Sequence, residues 1–341
     1  MSDKKTDINK YHKRIHEYTP YGGEIPSSGL RYIEIVQDKE NNFYVKKRIK
    51  FMDEPQPNYY FTREVSCLAK VQSKVLPFVP LIEFEYPTKE AEGYIITPYM
   101  EGGNVMKQIL SRNKNGNDDV TYKGDSSIDM INSNSLPHIA YSYDYVPVKD
   151  IDLNPARKMI IIYGTAKAIS YMHGQKPPIF HRDIKPENIL LDKDGEPHLS
   201  DFGFSREIAA KERLSGVKGT TPYMAPELIR DEEVSISADI YSFGVTMIMI
   251  FAEKLTITEN GRHIDFYQLK PATKNKYVSI GVKYDIPDDI QPQMRNLIEK
   301  CCDLNPLERP TIDKVLSELE DDQITSLFGP EYKDYINKFH K

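Results

Sequence analysis

IFHRDIKPENILLDKDGEPHLSDFG, residues 179 to 203, holds Asp183, Lys185, Asn188 and Asp201 in one short run, and their intervals decide how the rest of the chain is read. ILL (189 to 191) and HLS (198 to 200) read as short strands joined by DKDG, in which Asp-Gly is a strong short-range hairpin signal. A hairpin brings its open ends together, so Asn188, entering it, and Asp201, leaving it, fall side by side. One amide oxygen and one carboxylate then converge beside an open face. Hard oxygen ligands of this kind suit Mg2+, which keeps several waters and is completed by substrate phosphates. Asp183 and Lys185, just upstream, set a proton acceptor and a cation within reach of a metal-bound phosphate. Phosphoryl transfer needs that combination, because positioning and charge neutralisation supply most of its catalysis.

The chain around this run has 341 residues, 39% hydrophobic and 28% charged, which is globular composition and enough length for one large domain or two lobes sharing a cleft. A net charge of −6 and a pI near 5.8, with no segment dominated by Lys and Arg, give no electrostatic footprint for nucleic acid or an anionic membrane. Cys67, Cys301 and Cys302 offer no CxxC pair and no disulfide framework, which fits a reducing compartment and ordinary core or surface thiols. The start, MSDKKTD, has no apolar signal-like core, and the apolar run VTMIMIFA (245 to 252) is too short to span a bilayer. A cytoplasmic location and no membrane partner are the resulting expectations.

Two regimes follow along the sequence. From about Gly22 to Thr97 the chain reads as strands with one helix, since RYIEIV (31 to 36) and FYVKKRIKF (43 to 51) flank the turn-forming DKENN. From Met100 onward it reads mostly as helices. LNPARKMIIIYGTAKAISYMHG has Asn154 as N-cap and Pro155 at the first helical position, and DIYSFGVTMIMIFAEKL is apolar nearly all round, as a helix buried inside a lobe must be. Between the regimes, the polar stretch 111 to 135 lacks either apolar period and reads as a flexible insertion, followed by Tyr141, Tyr143 and Tyr145 alternating as along a strand laid back on its own lobe. Tyr332, Tyr335, Ile336 and Phe339 recur at helical spacing and predict a C-terminal helix docked on the parent lobe.

Three motifs in order carry a resemblance to the eukaryotic protein kinase family. HRDIKPEN (181 to 188) resembles its catalytic loop, DFG (201 to 203) its metal-binding motif and APE (225 to 227) the end of its activation segment, with 201 − 183 = 18 between the two acids and a buried helix opening at Asp239. The resemblance runs from roughly Glu24 to Asp321, interrupted mainly by the insertion. It implies an α+β, two-lobed protein kinase fold: a small β-rich N-lobe with one key helix over 22–98, and a larger helical C-lobe over 99–321 that carries an insertion at 111–150. A tail precedes them at 1–21 and a tail helix follows at 322–341.

The same resemblance implies the site. Asp183 would accept the proton of the substrate hydroxyl, Lys185 would neutralise the transferring γ-phosphoryl group of ATP, and Asn188 and Asp201 would hold Mg2+. Arg182 resembles the arginine that anchors a phosphorylated activation loop, which implies an upstream activating kinase. FYVKKRIKF resembles the third strand, whose phosphate-pairing lysine is Lys46 or Lys47 by register. Residues two apart share a strand face, so Lys47 puts Val45 against adenine and Ile49 on the core, whereas Lys46 would push Tyr44 into the nucleotide site; Lys47 is the choice. Its ion-pair partner is Glu64, which shares a helical face with Leu68 and Val71. Ile25, Ile33 and Val45 would cover the base, Leu190 would lie beneath it, Thr97 would be the gatekeeper, and the backbone of Tyr99 and Met100 would face the adenine edge. Glu227 and Arg309 resemble the family's structural ion pair.

The pattern departs from the family at one place. Where a G-x-G-x-x-G loop is required over the phosphates, EIPSSGLRYIEIV (24 to 36) has Pro26, Ser28 and Arg31, with Gly29 alone nearby, and Pro98 adds no N–H to the hinge. Missing Cβ atoms are what let a backbone close on a phosphate. Two readings stand: an active kinase acting on protein substrates, and a pseudokinase that binds nucleotide or serves as a scaffold. Lys185 and Thr220 match the serine/threonine style, while ADIYSFGV and CCDLNPLERPT resemble the tyrosine-kinase-like group and leave dual specificity open. Ser215, Thr220 and Thr221 are candidate regulatory hydroxyls, with Ser215 preferred because Arg213 and Lys218 flank it.

Overall fold

The structure, a computed structural model, describes residues 8–12, 17–21, 25–27, 31–49, 55–72, 76–115, 148–208, 212–213 and 219–340. Strands β1 (Thr19–Pro20) and β2 (Ile25–Ser27) both pair with β3 (Arg31–Gln37), which runs antiparallel to β4 (Phe43–Ile49). Helix α1 (Pro55–Lys70) follows, and β5 (Glu83–Glu85) and β6 (Gly93–Pro98) complete a six-stranded sheet, ordered β1-β3-β4-β6-β5 with β2 joined to β3. Alternation sorts its faces. Ile33, Ile35, Val45, Ile49 and Ile95 are buried on the side that carries Lys47, because Ile33 lies opposite Lys47 and Lys47 opposite Ile95 in the ladder. The other side carries an ionic patch, with Lys46 3.4 Å and Arg48 3.5 Å from Glu34, and Arg48 2.9 Å from Glu92.

Two stretches of the N-terminal tail, 1–21, make contacts with this lobe. Ile8 and Tyr11 pack against the main core, His12 forms a bridge with Phe84 and an ion pair with Glu85 at 3.2 Å, and Thr19–Pro20 pair with Gln37 and Val36. A polar stretch with no apolar period gives no local signal of this. Ile8 and Tyr11 are half-buried there, against a surface the rest of the chain supplies.

The C-lobe contains α2 (Val105–Asn115), α3 (Pro155–His173), β7 (Ile179–Phe180), β8 (Ile189–Leu191), β9 (Pro197–Leu199), β10 (Arg206–Glu207), β11 (Glu212–Arg213), α4 (Pro226–Ile229) and β12 (Glu233–Val234). It continues with α5 (Ser237–Ala252), the hairpin of β13 (Thr256–Glu259) and β14 (Arg262–Asp265), then α6 (Pro271–Ile280), α7 (Pro292–Cys301), α8 (Ile312–Leu319) and α9 (Asp322–Asn337). Helix α3 starts as its sequence predicts: the Asn154 side chain accepts from Arg157 N at 2.9 Å, and Pro155 spends no amide. Helix α5 opens at Ser237 rather than Asp239, and every residue from Ala238 to Ile250 is buried. Helix α2 runs to Asn115, so the insertion placed at 111–150 begins inside a helix, whose buried residues Val105, Met106 and Ile109 lie in its first half. Residues 116–147, with the tyrosine alternation, lie outside the described residues. Cys67 and Cys301 are buried and Cys302 is half-buried; all three are free thiols, and burial pushes that of Cys67 up to about 11. Among the described residues no helix is long and apolar enough to cross a membrane.

The C-terminal aromatic residues dock on the parent lobe. The Tyr163 ring of α3 meets Tyr332 at 6.1 Å and Phe339 at 5.7 Å between centroids, and Tyr332 Oη donates to Leu319 O at 2.9 Å. Gly329 (φ 83°) and Pro330 break α9 into two helical pieces, which lets the second half lie along α3. This approach needs Gly164, since a Cβ there would stand 2.5 Å from Pro197 Cγ and 2.7 Å from Tyr335 Oη. Ala in mid-helix gains up to about 1 kcal/mol over Gly, but overpacking against a rigid proline ring costs about 1–3 kcal/mol and outweighs it. Gly164→Ala is therefore expected to lower stability in denaturant titration and to speed proteolytic release of α9; a variant as stable as the parent would show that the contact relaxes at no cost.

Candidate active site

The loop after β7 hangs from one carboxylate. His181 N donates to Asp239 Oδ2 and Arg182 N to Asp239 Oδ1, each at 2.9 Å, and His173 Nε2 lies 3.0 Å from Oδ2. Asp239 is fully buried in the first turn of α5, where the helix N-terminus favours negative charge and the two amides supply charge-assisted bonds. Those bonds hold Arg182 at φ 74°, a left-handed conformation that a bulky side chain otherwise avoids at a cost of about 1–3 kcal/mol. The turn leads into Asp183, which is itself almost fully buried.

Three donors converge on Asp183. Lys185 Nζ lies 2.8 Å from Oδ2, Asn188 Nδ2 donates to Oδ2 at 2.9 Å and to the Asp183 carbonyl at 2.7 Å, and Thr220 Oγ1 donates to Oδ1 at 2.9 Å. Lys185 Nζ also donates to Thr220 Oγ1 at 2.6 Å, which closes a ring of carboxylate, ammonium and hydroxyl. Thr220 is thus committed to the site rather than presented as a regulatory hydroxyl. Thr221 Oγ1 donates to Asn275 at 3.0 Å, and Ser215 lies outside the described residues. His181 ties the loop to the next strand: Asp183 N donates to Nδ1 at 3.3 Å, so Nε2 carries the proton and donates to Ser200 O at 3.1 Å.

Strands β8 and β9 form the hairpin, but β9 begins one residue earlier than HLS, at Pro197, and the connection is longer than an Asp-Gly turn. The Asp192 carboxylate accepts from the Asp194 and Glu196 amides at 2.9 Å, building a five-residue loop, 192–196, in which Gly195 takes φ 74°. The open ends still meet. Ser200 N donates to Asn188 O at 2.9 Å, which sets Asp201 beside Asn188. Asp201 is left-handed (φ 59°, ψ 74°) and accepts from Gly203 N at 3.3 Å, while Phe202 is buried against His181 and Phe78 at 5.2 and 6.0 Å.

Above this floor the N-lobe contributes Lys47, whose Nζ lies 2.6 Å from Glu64 Oε1 and 3.8 Å from Asp201 Oδ1. Lys46 is on the opposite sheet face with Glu34. Ile33, Val45, Val79, Thr97, Pro98, Met100 and Leu190 line the outer part of the cleft, and Lys47, Glu64 and Asp201 its inner end, around about 560 Å³ of space that includes the open mouth. Tyr99 behaves differently from its sequence expectation. Its amide donates to Phe43 O at 3.1 Å and its ring packs with Ile33, Ile35 and Val45, because Pro98 still pairs with Tyr44 and carries the ladder one residue further. Ile25 pairs with Ile33, and the connection that stands in place of a glycine-rich loop, 28–30, lies outside the described residues.

The donor set fits a nucleotide and a divalent ion: a flat apolar slot for a base leads to a cation, two carboxylates and an amide, all oxygen or nitrogen groups suited to phosphate and Mg2+. Beside it, Arg182 is buried with Nε and Nη2 lacking hydrogen-bond partners. Burial and the charges of Arg63 and Arg206 lower its pKa to about 10, so it keeps its charge at neutral pH among other guanidinium groups. Glu227 and Arg309 form a buried bidentate pair at 2.6 and 2.9 Å that braces α4 against the segment before α8. Sequence reading overlooked the Asp239 anchor and the bond from Thr220 to Asp183. Their partners lie 57 and 37 positions away, beyond any local pattern.

Comparison with known proteins agrees with this geometry. A family model described as protein kinase domain matches residues 31–319. Serine/threonine-protein kinase CTR1 of Arabidopsis thaliana is 34% identical over 169 residues, 49% of this chain and 20% of that protein. Dual specificity protein kinase shkA of Dictyostelium discoideum is 32% identical over 187 residues, 54% of this chain and 34% of that protein. RasGEF domain-containing serine/threonine-protein kinase X of the same organism is 28% identical over 277 residues, 80% of this chain and 24% of that protein. The chain spans about a third or less of the length of these relatives.

Asp239→Ala would leave the His181 and Arg182 amides buried without an acceptor, at a cost of about 3 kcal/mol or more. Denaturant titration should show that loss, and amide exchange over 180–183 should speed up; a variant within experimental error of the parent would remove Asp239 as the anchor.

Proposed function

Because the chain belongs to the protein kinase domain family, we propose that it is an active enzyme that transfers the γ-phosphoryl group of ATP to serine or threonine hydroxyls of protein substrates. The observation that carries this reading is the cluster of Asp183, Lys185 and Asn188, with Asn188 set beside Asp201, which lines the cleft together with the Lys47–Glu64 pair. Asp183 accepts the proton of the substrate hydroxyl as that oxygen bonds to the γ-phosphorus and the bond to the ADP oxygen breaks. Lys185, held 2.8 Å from Asp183, faces the charge that develops on the transferring group, and Lys47, oriented by Glu64, neutralises the phosphates behind it. Mg2+, when held by Asn188 and Asp201, supplies the remaining charge neutralisation. Serine/threonine preference is supported by the meeting of Lys185 and Thr220 at Asp183 and by the names of the relatives, one of which is called dual specificity.

Control by phosphorylation of the activation loop is part of the same proposal. Arg182 is a buried cation with two unpartnered nitrogens directly beside Asp183, and Arg63 and Arg206 add to the field around it. A dianionic phosphate would supply both acceptors and counter-charge there. An upstream kinase would place it on Ser215, and a cytoplasmic location fits such an input. A second reading, a nucleotide-binding or scaffold module without transferase activity, is favoured by Pro26, Ser28 and Arg31 standing where glycines let a backbone close on phosphates.

Asp183→Asn is expected to lower transfer of labelled phosphate to a generic protein substrate by about 10³-fold, with Mg-ATP affinity in calorimetric titration essentially unchanged. If the parent protein, phosphorylated on its activation loop, transfers nothing, the module reading replaces the enzyme. Ser215→Ala should reduce activity about tenfold relative to the phosphorylated parent, the worth of one or two charge-assisted bonds, and Arg182→Met should make phosphorylation at Ser215 ineffective. A Ser215→Ala protein as active as the parent would take Ser215 out of the mechanism.

A further inference from the structure

The helix that carries Glu64 is also fastened to the backbone beyond Asp201. Arg63, adjacent to Glu64 on α1, donates from Nε to Ser205 O at 3.1 Å and from Nη2 to Phe204 O at 3.2 Å, and Nη2 reaches Ser205 O as well. Toward the end of the same helix Lys70 pairs with Glu207, and α1 packs on the turn Phe202–Phe204. Glu64 acts on Asp201 from the other direction, through Lys47. One helix therefore grips both sides of this residue, its side chain by way of a lysine and its following main chain by way of an arginine. Asp201 needs such support, since its φ of 59° and ψ of 74° put it in a left-handed turn that Asp adopts only sparingly. Arginine suits the task, because its planar fork is donor-only and can hold two successive carbonyls in one geometry.

We propose that Arg63 is a positioning residue: by holding the Phe204 and Ser205 carbonyls it fixes the turn that aims Asp201 into the cleft, and divalent-ion binding at Asp201 depends on it. This rests on the reading of Asp201 as a Mg2+ ligand. Arg63 also lies near Arg182, so a share in phosphate anchoring is the competing role, but the two arginines are occupied differently. Arg63 has Nε and Nη2 on carbonyls, whereas Nε and Nη2 of Arg182 lack partners. An outer group that orients a ligand typically changes metal affinity 10–100-fold when removed.

The test uses the full-length chain and its Arg63→Gln and Arg63→Lys variants, all treated with phosphatase so that no loop phosphate contributes. The first readout is the Mg2+ concentration that half-saturates binding of a non-hydrolysable ATP analogue, measured by calorimetry alongside binding in EDTA. Arg63→Gln should raise that concentration about tenfold or more, leave affinity in EDTA unchanged, and be partly rescued in Arg63→Lys. The second readout is amide hydrogen exchange over 202–208 without nucleotide, which should quicken about tenfold in Arg63→Gln. An unchanged Mg2+ requirement with unchanged exchange overturns the proposal. So does an effect absent from these samples but present in a parallel set phosphorylated on the loop, which assigns Arg63 to phosphate anchoring. A parent protein that binds no Mg-nucleotide overturns the reading of the site itself, and with it the proposal, whereas a parent that binds normally beside an identical variant overturns the role of Arg63 alone.

Discussion

Two backbone amides, those of His181 and Arg182, share one buried carboxylate, and the geometry of the site follows from that bond pair. Asp239 is deep in the larger lobe at the start of a helix that is buried from Ala238 to Ile250, so its position is held rigid by the packing around that helix. A loop hung from it inherits that rigidity. Arg182 can be held left-handed, Asp183 set among its three donors, and the following residues led into the hairpin without the loop needing a core of its own. Burying a carboxylate is costly in general, and here the cost is offset by two amides, a histidine and the favourable end of a helix.

The cleft then brings together two lobes with different jobs. The sheet supplies alternation, which puts an apolar stripe and Lys47 on one side of β4 and an ionic patch with Lys46 and Arg48 on the other. The helical lobe supplies a hairpin whose ends set Asn188 next to Asp201. Helix α1 couples them, because Glu64 reaches up to Lys47 while Arg63 reaches down to the carbonyls after Phe202. Movement of that helix would disturb cation and carboxylates together, which makes it the natural place for a change elsewhere to be felt in the cleft.

Legibility in the sequence follows the range of the forces involved. Period two was enough to choose Lys47 over Lys46 and to put Ile49 in the core, and helical spacing was enough to turn Glu64 inward. The Asn154 cap and the placing of Asn188 beside Asp201 were readable for the same reason: partners lie within a few residues or across one hairpin. Where the reading slipped, the cause was either side-chain bonding inside a loop or a partner far away in sequence. The β8–β9 connection lengthened because the Asp192 carboxylate accepts from amides within its own loop, and the Tyr99 amide was taken by Phe43 across the sheet.

The sequence by itself determined the chemistry on offer: which acids, amides and cations occur, in what order, and on which face of a strand or helix each falls. Local stereochemistry fixes those choices, since side-chain direction alternates along strands and recurs every turn of a helix. Only the tertiary structure decided how residues far apart meet: Asp239 under the loop 57 positions before it, Thr220 against Asp183, and two arginines of neighbouring purpose with different partners, Arg63 on carbonyls and Arg182 buried with two nitrogens unpaired. The reason is that a buried donor or acceptor must be matched by whatever group packing brings within about 3 Å, and packing is a property of the whole chain.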